Sequence, residues 1–220
     1  MKALSNIHHI KMAQIKLNNI KPKYMSEAEI STSDIYLKEN VVFEQGKNYL
    51  IKANSGHGKS SVLNFIYKSN INYTGEITYP FIDNSTTNIR QNKISYVFQD
   101  LKLFPSLTVL ENIQLKNTIT NYKTEEQIIE LIQKLQLPHK THSLVETLSL
   151  GQQQRVAIIR ALCQPFEYML LDEPFSHLDN TNIKIITELL LDELHQRKAG
   201  MIITALEDLT MVKFDKIIHL

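Results

Sequence analysis

The sequence predicts an α/β fold whose core is a mostly parallel sheet. Short apolar segments alternate along its 220 residues with longer amphipathic ones, and one apolar segment runs directly into a glycine-rich loop. No repeat or low-complexity linker interrupts this alternation. Such an order is typical of parallel strands joined by helices that cover both faces of one sheet. In folds of this kind, ligands bind at the carboxyl ends of the strands.

The strands are predicted from short runs of apolar residues. In residues 14–20, polar and apolar side chains alternate, as they do in a half-buried strand. Gly46, between Gln45 and Lys47, marks a turn that separates two later runs. In chain order, the predicted strands lie at residues 14–20, 35–37, 41–43, 48–52, 76–79, 94–98, 168–171, 201–204 and 216–219.

Helices are predicted between these strands. The first is expected from Lys59 to about Tyr67, directly after the glycine-rich loop, and others at residues 125–135, 149–162 and 182–197. In the 125–135 segment, the apolar side chains fall on one broad helix face, as expected for a helix that packs against a core. These side chains are Ile128, Ile129, Leu131, Ile132 and Leu135.

Composition and charge exclude several classes of function. The net charge of +1 provides no overall field that would draw the chain to nucleic acid or to an anionic membrane. No apolar run approaches the ~18 residues that a membrane span needs, and the start of the chain lacks a signal-peptide core. We therefore expect a cytoplasmic protein whose membrane role would come through a partner. The single Cys163 excludes an internal disulfide and is expected to be a buried structural thiol.

The loop after the strand at 48–52 has the composition of a phosphate cradle. Residues 53–60 fit the pattern G-x-x-x-x-G-K-[ST] at every fixed position except the first, which is Ala53. Glycines let backbone N–H groups approach phosphate oxygens, and the following helix directs its N-terminal amides at the same anion. Lys59 can bridge the β- and γ-phosphates, and the Ser60 hydroxyl can ligate Mg²⁺. The alternative, a glycine- and serine-rich surface turn, is disfavoured by the flanking strand and helix.

Two adjacent acids follow the apolar strand at 168–171. Asp172 can hold Mg²⁺ through water, and Glu173 can polarise an attacking water. Burying two adjacent acids costs free energy, so acids in this position are expected either to have a chemical role or to lie at the surface. An isolated Asp-Glu-Pro sequence would be interpreted as a solvated strand end, but the phosphate loop in the same chain favours the functional interpretation.

With these motifs, the chain resembles the ATPase subunits of ATP-binding-cassette (ABC) transporters from about Ile15 to Leu220. Residues 97–100 are similar to the family's Q-loop, and residues 103–113 match the segment after that loop in importers and lipoprotein-release ATPases. Residues 148–157 resemble the signature peptide and its helix, and residues 176–179 resemble the D-loop. The order and spacing of these motifs are highly specific together. The local sequence is most similar to the lipoprotein-releasing, macrolide-export and cell-division types.

The resemblance implies a P-loop NTPase core with an antiparallel β subdomain and a helical signature subdomain. The helical subdomain is expected at about residues 100–163. One ABC ATPase domain would span residues 14–220, after an N-terminal extension at residues 1–13. The cofactors implied are ATP and Mg²⁺.

The resemblance also assigns roles to individual residues. Glu173, Gln99 and Lys59 form the expected catalytic set, and Ser60, Gln99 and Asp172 are the expected metal ligands. Gln99 would also sense the transmembrane partner. Tyr24 is expected to stack on adenine, although an ordinary surface tyrosine is the alternative. The expected ATP-binding residues are Tyr24, Asn54, Ser55, Gly56, His57, Gly58, Lys59, Ser60, Ser61, Ser149, Gly151 and Gln152, of which the last three would face the ATP of a second subunit.

Three positions depart from the family pattern. Ala53 replaces the first glycine of the phosphate loop, which adds a small conformational cost if that position needs a positive φ. Leu150 replaces the third residue of the signature. The switch histidine is missing: its expected position after the strand at 201–204 is taken by Ala205 or Leu206, neither of which can hydrogen-bond a γ-phosphate through its side chain. We therefore expect ATP binding with slow turnover.

Three functions are compatible with parts of this pattern. The leading one is the energising subunit of a membrane transporter or related complex, acting as a head-to-tail homodimer, or paired with another ABC subunit, on a transmembrane permease subunit at the inner face of the cell membrane. The second is a nucleotide-gated scaffold that binds ATP with little turnover, which the missing histidine favours. The third, an ABC ATPase that acts on DNA or ribosomes, ranks below both because the chain has no tandem cassette and no basic tail; no nucleic-acid partner is expected.

Overall fold

The protein has two β-sheets, and the larger one is parallel, which confirms the predicted α/β class. The computed structural model describes residues 13–54 and 56–220, so the predicted N-terminal extension lies outside the described residues apart from Ala13. The strands are β1 Gln14–Pro22, β2 Asn40–Glu44, β3 Asn48–Lys52, β4 Tyr73–Thr78, β5 Ile94–Val97, β6 Tyr168–Asp172, β7 Gly200–Ala205 and β8 Lys216–His219.

The described helices are α1 Glu27–Ile30, α2 Lys59–Ile66, α3 Thr86–Asn88, α4 Val109–Asn117, α5 Glu125–Lys134, α6 Leu150–Leu162 and α7 Asn180–Arg197. A π-helical turn, Ile89–Lys93, extends α3, and short 3₁₀ turns lie at Pro138–Lys140 and Val145–Thr147. In the part of the chain that the structure describes, no helix is both long enough and apolar enough to cross a membrane.

The parallel sheet has the strand order β5-β6-β7-β3-β8. Its central strands β6 and β7 are buried along their whole length, which explains why their sequences are continuous apolar runs. The register pairs Lys52 of β3 with Ala205 of β7, and Asp172 of β6 with Thr204 of β7. The carboxyl ends of these three strands therefore meet at one edge of the sheet, below the glycine-rich loop.

The smaller sheet is antiparallel, with the order β2-β1-β4. Its inner side chains, among them Ile15, Leu17 and Phe43, pack in one apolar cluster with Phe65 and Ile66 of α2. This sheet therefore covers the helix that follows the glycine-rich loop.

Three helices, α4, α5 and α6, fill the connection between β5 and β6. In α5, Ile128, Leu131 and Ile132 are buried against a core that includes Val156 and Ile159 of α6. The predicted face of α5 is thus the face that packs.

The predicted strand at residues 35–37 is wrong. Ile35 and Tyr36 are buried, as a strand would be, but they lie in a turn. The Ser33 hydroxyl accepts hydrogen bonds from the backbone N–H groups of Ile35 (3.1 Å) and Tyr36 (2.8 Å). These donors are therefore taken by a local side chain instead of a neighbouring strand.

Helix α4 was not predicted from the sequence, although its start carries a capping signal. The Thr108 hydroxyl accepts from the N–H of Glu111 (3.2 Å), and the Glu111 carboxylate accepts from the N–H of Thr108 (2.7 Å). This reciprocal pair is a capping box, which a Thr-x-x-Glu sequence before an apolar residue indicates.

Candidate nucleotide-binding site

The loop between β3 and α2 has backbone geometry that only glycine adopts readily. Gly56 and Gly58 have φ angles of +84° and +85°. A Cβ on Gly58 would lie 2.9 Å from the Tyr36 hydroxyl and 3.3 Å from Met25, so the position is closed to side chains for two reasons. Ala53 is not among the described residues with positive φ, so the conformational cost that the sequence suggested does not arise.

The N-terminus of α2 opens toward the same loop. Gly58 is its N-cap residue and supplies no side chain to the first N–H groups. Exposed amides at a helix N-terminus favour an anion, and the helix dipole adds to the effect. The backbone therefore has the features of an anion cradle; Ser55, in the same loop, lies outside the described residues.

Lys59 is a buried cation held by the loop itself. Its Nζ donates to the carbonyl oxygens of Ala53 (2.7 Å) and Asn54 (3.0 Å) and lies 3.1 Å from Oε1 of Glu173. The Lys59 side chain is only 5% exposed and that of Glu173 14%. The two side chains that the sequence assigned to phosphate binding and to water activation are therefore in direct contact.

Asp172 ends β6 and is buried, with each carboxylate oxygen bound by a side chain of another strand. Thr204 of β7 donates to Oδ1 (2.7 Å), and Tyr96 of β5 donates to Oδ2 (3.3 Å). Burial and the nearby Asp172 carboxylate raise the pKa of Tyr96 well above its usual value, so this phenol stays a protonated donor.

Glu173 has a left-handed backbone, with φ of +47°. Its N–H donates to the Thr204 hydroxyl (3.0 Å), and its carbonyl oxygen accepts from Nε2 of Gln154 (3.3 Å). Neither Thr204 nor Gln154 was assigned a role from the sequence. A polar residue at the end of the buried β7 run was the available signal for Thr204, but its partner depends on strand order.

Lys59 and Glu173 line a cleft of about 320 Å³, whereas the buried Asp172 is outside its described lining. Tyr24 donates to the Ser61 hydroxyl (2.7 Å), and the Ser60 hydroxyl lies 3.5 Å from Oε1 of Gln99, at the limit of a hydrogen bond. The residues that line the cleft are Tyr24, Met25, Glu29, Gly56, Gly58, Lys59, Ser60, Ser61, Gln99 and Glu173.

The donor set fits the chemistry of a magnesium nucleotide. A hydroxyl (Ser60), an amide oxygen (Gln99) and a carboxylate (Asp172) are the hard oxygen ligands that Mg²⁺ prefers. Helix amides and Lys59 supply the positive charge that phosphates need. Asn54 and His57 are exposed residues of the loop itself, outside the described lining of the cleft.

The signature residues lie apart from this cleft among the described residues. Ser149 is the N-cap of α6, as expected: its hydroxyl accepts from the N–H of Gln152 (3.3 Å), whose Oε1 accepts from the N–H of Ser149 (3.0 Å). A Cβ on Gly151 would lie 2.8 Å from the carbonyl oxygen of His177, so the start of α6 packs on the D-loop segment. Leu150, which lies between Ser149 and Gly151 in the sequence, is 55% exposed.

The two candidates for the switch position have apolar side chains. Strand β7 ends at Ala205, which is buried, and Leu206 follows with its side chain half exposed. Asp208 pairs with Lys52 at the end of β3 (2.9 Å). The segment after β7 is therefore attached to the base of the glycine-rich loop by an ion pair. Its first two side chains offer no hydrogen bond.

Comparisons with known proteins identify the family of this chain. The family model described as ABC transporter matches residues 38–176. The chain is 32% identical to the ABC transporter ATP-binding protein MJ0796 of Methanocaldococcus jannaschii, over 94% of this chain and 92% of that protein. It is 30% identical to the lipoprotein-releasing system ATP-binding protein LolD of Buchnera aphidicola, over 90% and 88% of the two chains.

A solved structure shares the whole fold. The dimeric post-hydrolysis state of MJ0796, bound to ADP and Pi, superposes with a TM-score of 0.78 at 28% identity and covers 94% of each chain. The antiparallel sheet, the parallel sheet and the helices between β5 and β6 are thus those of a known architecture. Because the family model spans more than half of the chain and these relatives nearly all of it, the chain belongs to the ABC transporter family, as an ATP-binding ATPase domain.

Proposed function

We propose that the chain binds MgATP and hydrolyses it slowly, as a head-to-tail dimer that drives a separate transmembrane partner at the inner face of the membrane. The observation that carries the proposal is the convergence of Lys59, Ser60, Gln99 and Glu173 on one cleft at the carboxyl ends of the parallel strands. These residues come from three separate parts of the sequence, and each has the chemistry that phosphoryl transfer needs.

The contacts of these residues support a role for each. The amides at the start of α2 and the Lys59 ammonium would bind the phosphates, while Ser60, Gln99 and Asp172 would hold the metal ion. Mg²⁺, when bound, neutralises charge on the phosphate oxygens. Because Lys59 contacts Glu173 at 3.1 Å, the arriving phosphates compete with this carboxylate for the ammonium. Glu173 is then free to orient and polarise the attacking water.

Slow turnover is proposed because one transition-state contact has no side chain to make it. Neither Ala205 nor Leu206 carries a hydrogen-bonding group, and loss of such a contact costs roughly 10²–10³ in rate. Binding relies on the loop, Lys59 and α2, so it does not suffer from this loss.

A dimer is proposed because the signature residues do not line the nucleotide cleft of their own chain, as far as that cleft is described. Ser149, Gly151 and Gln152 lie at the start of α6, outside the described lining of that cleft. The half-exposed Leu150 beside them adds apolar surface for a second copy. The dimeric structures of MJ0796 support this arrangement.

The test is phosphate release by the purified chain and by Glu173→Gln, together with sedimentation in the presence and absence of MgATP. We expect slow release that Glu173→Gln abolishes, and a dimer that forms with ATP. Equal rates from the two proteins would contradict hydrolysis. A dimer that forms with ATP but shows no turnover, even with co-purified membrane proteins, would select the nucleotide-gated scaffold.

A further inference from the structure

Thr204 is a buried hydroxyl that contacts both acidic residues of the site. It lies near the end of β7, in register with Asp172 of the neighbouring strand, and is 0% exposed. The Thr204 hydroxyl donates a hydrogen bond to Oδ1 of Asp172 (2.7 Å) and accepts one from the N–H of Glu173 (3.0 Å). A hydroxyl arranged in this way fixes the orientation of one acid and the backbone of the other.

The backbone of Glu173 needs such an anchor. Its left-handed conformation, with φ of +47°, is unfavourable for a residue with a Cβ and persists only where neighbours hold it. Thr204 holds the N–H side of this residue, and Gln154 of α6 donates to its carbonyl oxygen (3.3 Å). Gln154 is itself buried, and no described residue donates a hydrogen bond to its Oε1.

We propose that Thr204 is a positioning residue for the Asp172–Glu173 pair, with Gln154 as the second anchor. This inference rests on the proposed function, because it takes Asp172 as a metal ligand and Glu173 as the residue that polarises water. Thr204 keeps Oδ1 of Asp172 in a fixed direction and holds the Glu173 peptide so that its side chain reaches Lys59. Removing the Thr204 hydroxyl would therefore free both the Asp172 carboxylate and the Glu173 peptide to change orientation.

A purely structural threonine would behave differently. Valine has the same shape and a strong preference for strands, so replacing a threonine that only fills space leaves folding almost unchanged. Thr187 of α7 provides a matched control. It is buried like Thr204, but its hydroxyl has no hydrogen-bond partner among the described residues.

The experiment compares Thr204→Val, Thr204→Ser and Thr187→Val in the full chain. Binding of a fluorescent ATP analogue is titrated first in EDTA and then against Mg²⁺, and kcat and KM are measured on the same proteins. We expect Thr204→Val to need roughly 10–100-fold more Mg²⁺, as losses of ligand-orienting partners do, and to lower kcat more than it raises KM. Thr204→Ser should restore both, and Thr187→Val should match wild type. Binding in EDTA should not be weaker in any variant than in wild type, because the loop and Lys59 are unchanged.

If Thr204→Val does not fold, as urea unfolding would reveal, Thr204→Ser and Thr204→Ala isolate the hydroxyl, because both lack the methyl group. The proposal is overturned if Thr204→Val titrates like Thr187→Val, or if the serine and alanine variants are equal. If wild type shows no turnover above Glu173→Gln, the proposed hydrolysis fails, while the Mg²⁺ titration still decides the role of Thr204.

Discussion

Two lysine–glutamate pairs in this molecule have almost the same geometry and different surroundings. Lys59 and Glu173 lie 3.1 Å apart in the nucleotide site, with side chains 5% and 14% exposed. Lys123 and Glu193 lie 3.0 Å apart beside α7, with side chains 13% and 12% exposed. Distance and burial alone would assign both pairs the same role.

The two pairs differ in the residues that surround each glutamate. Arg197 makes a second ion pair with Glu193, donates to the carbonyl oxygens of Gln164 (2.7 Å) and Leu162 (3.0 Å), and stacks 4.1 Å from the ring centre of Phe166. Burial raises the pKa of Glu193, but the charges and hydrogen bonds of Arg197 and Lys123 outweigh it and lower that pKa below its usual value.

Glu173 has a different environment. Lys59 is its only ion-pair partner in the described part of the chain, its backbone is left-handed, and it faces an open cleft. The pair beside α7 is therefore fixed in place, whereas the proposed function requires Lys59 to exchange its carboxylate partner for phosphate. The two pairs thus differ in how many charges depend on the glutamate, and removing one partner of a buried pair leaves the others uncompensated.

Replacing each glutamate by glutamine should give the largest difference between the two pairs. Glu173→Gln is expected to lower turnover by about 10²–10⁴-fold, because it removes the group that polarises water. Its cost in stability should be smaller than that of Glu193→Gln, because Lys59 keeps its hydrogen bonds to the carbonyl oxygens of Ala53 and Asn54. Glu193→Gln is expected to cost about 3–5 kcal/mol of unfolding free energy, because it leaves two buried cations without their carboxylate. Phosphate release and urea unfolding measure the two effects. An equal loss of stability in the two variants, or a loss of turnover per folded molecule in Glu193→Gln, would contradict the distinction.

Replacing each lysine by methionine tests the same contrast from the other side. Lys59→Met should weaken ATP binding by roughly 10²-fold, because hydrogen bonds to charged groups contribute about 1.5–3 kcal/mol. Lys123→Met, the matched control, should bind ATP as wild type does and lose stability instead. Titration with a fluorescent ATP analogue measures both variants. Equal affinities for the two would rule out Lys59 as a phosphate ligand.

Acid should weaken the pair beside α7 in a predictable direction. The folded-state pKa of Glu193 is lowered from the value of about 4.3 in an unfolded chain, so the unfolded state takes up this proton first. The stabilising contribution is therefore complete above the unfolded pKa and is lost as pH falls through the folded pKa. We expect the stability difference between wild type and Glu193→Gln to shrink in acid. Urea unfolding from about pH 7 to about pH 3 measures it, and parallel curves would contradict the assignment.

Much of the fold could be predicted because its signals are local. The strand, glycine loop and helix from β3 through α2 lie close to their predicted bounds, since turn geometry and apolar periodicity depend on near neighbours. The failures have local causes too. Ser33 diverts the backbone donors of the segment predicted as a strand, and the capping box of Thr108 and Glu111 is present in the sequence although no helix was predicted there.

The family, the phosphate loop and the identity of the acids that follow β6 could all be inferred from the sequence. These depend on residue types at fixed spacings. Gly58 shows why, because its positive φ is strained for any residue with a Cβ. The contacts that Thr204 and Gln154 make with these acids could be seen only in the tertiary structure. Thr204 reaches Asp172 because β7 lies beside β6, and Gln154 reaches Glu173 because α6 packs against the loop after that strand. Strand order and helix packing are set by the whole core, so no local pattern reports them.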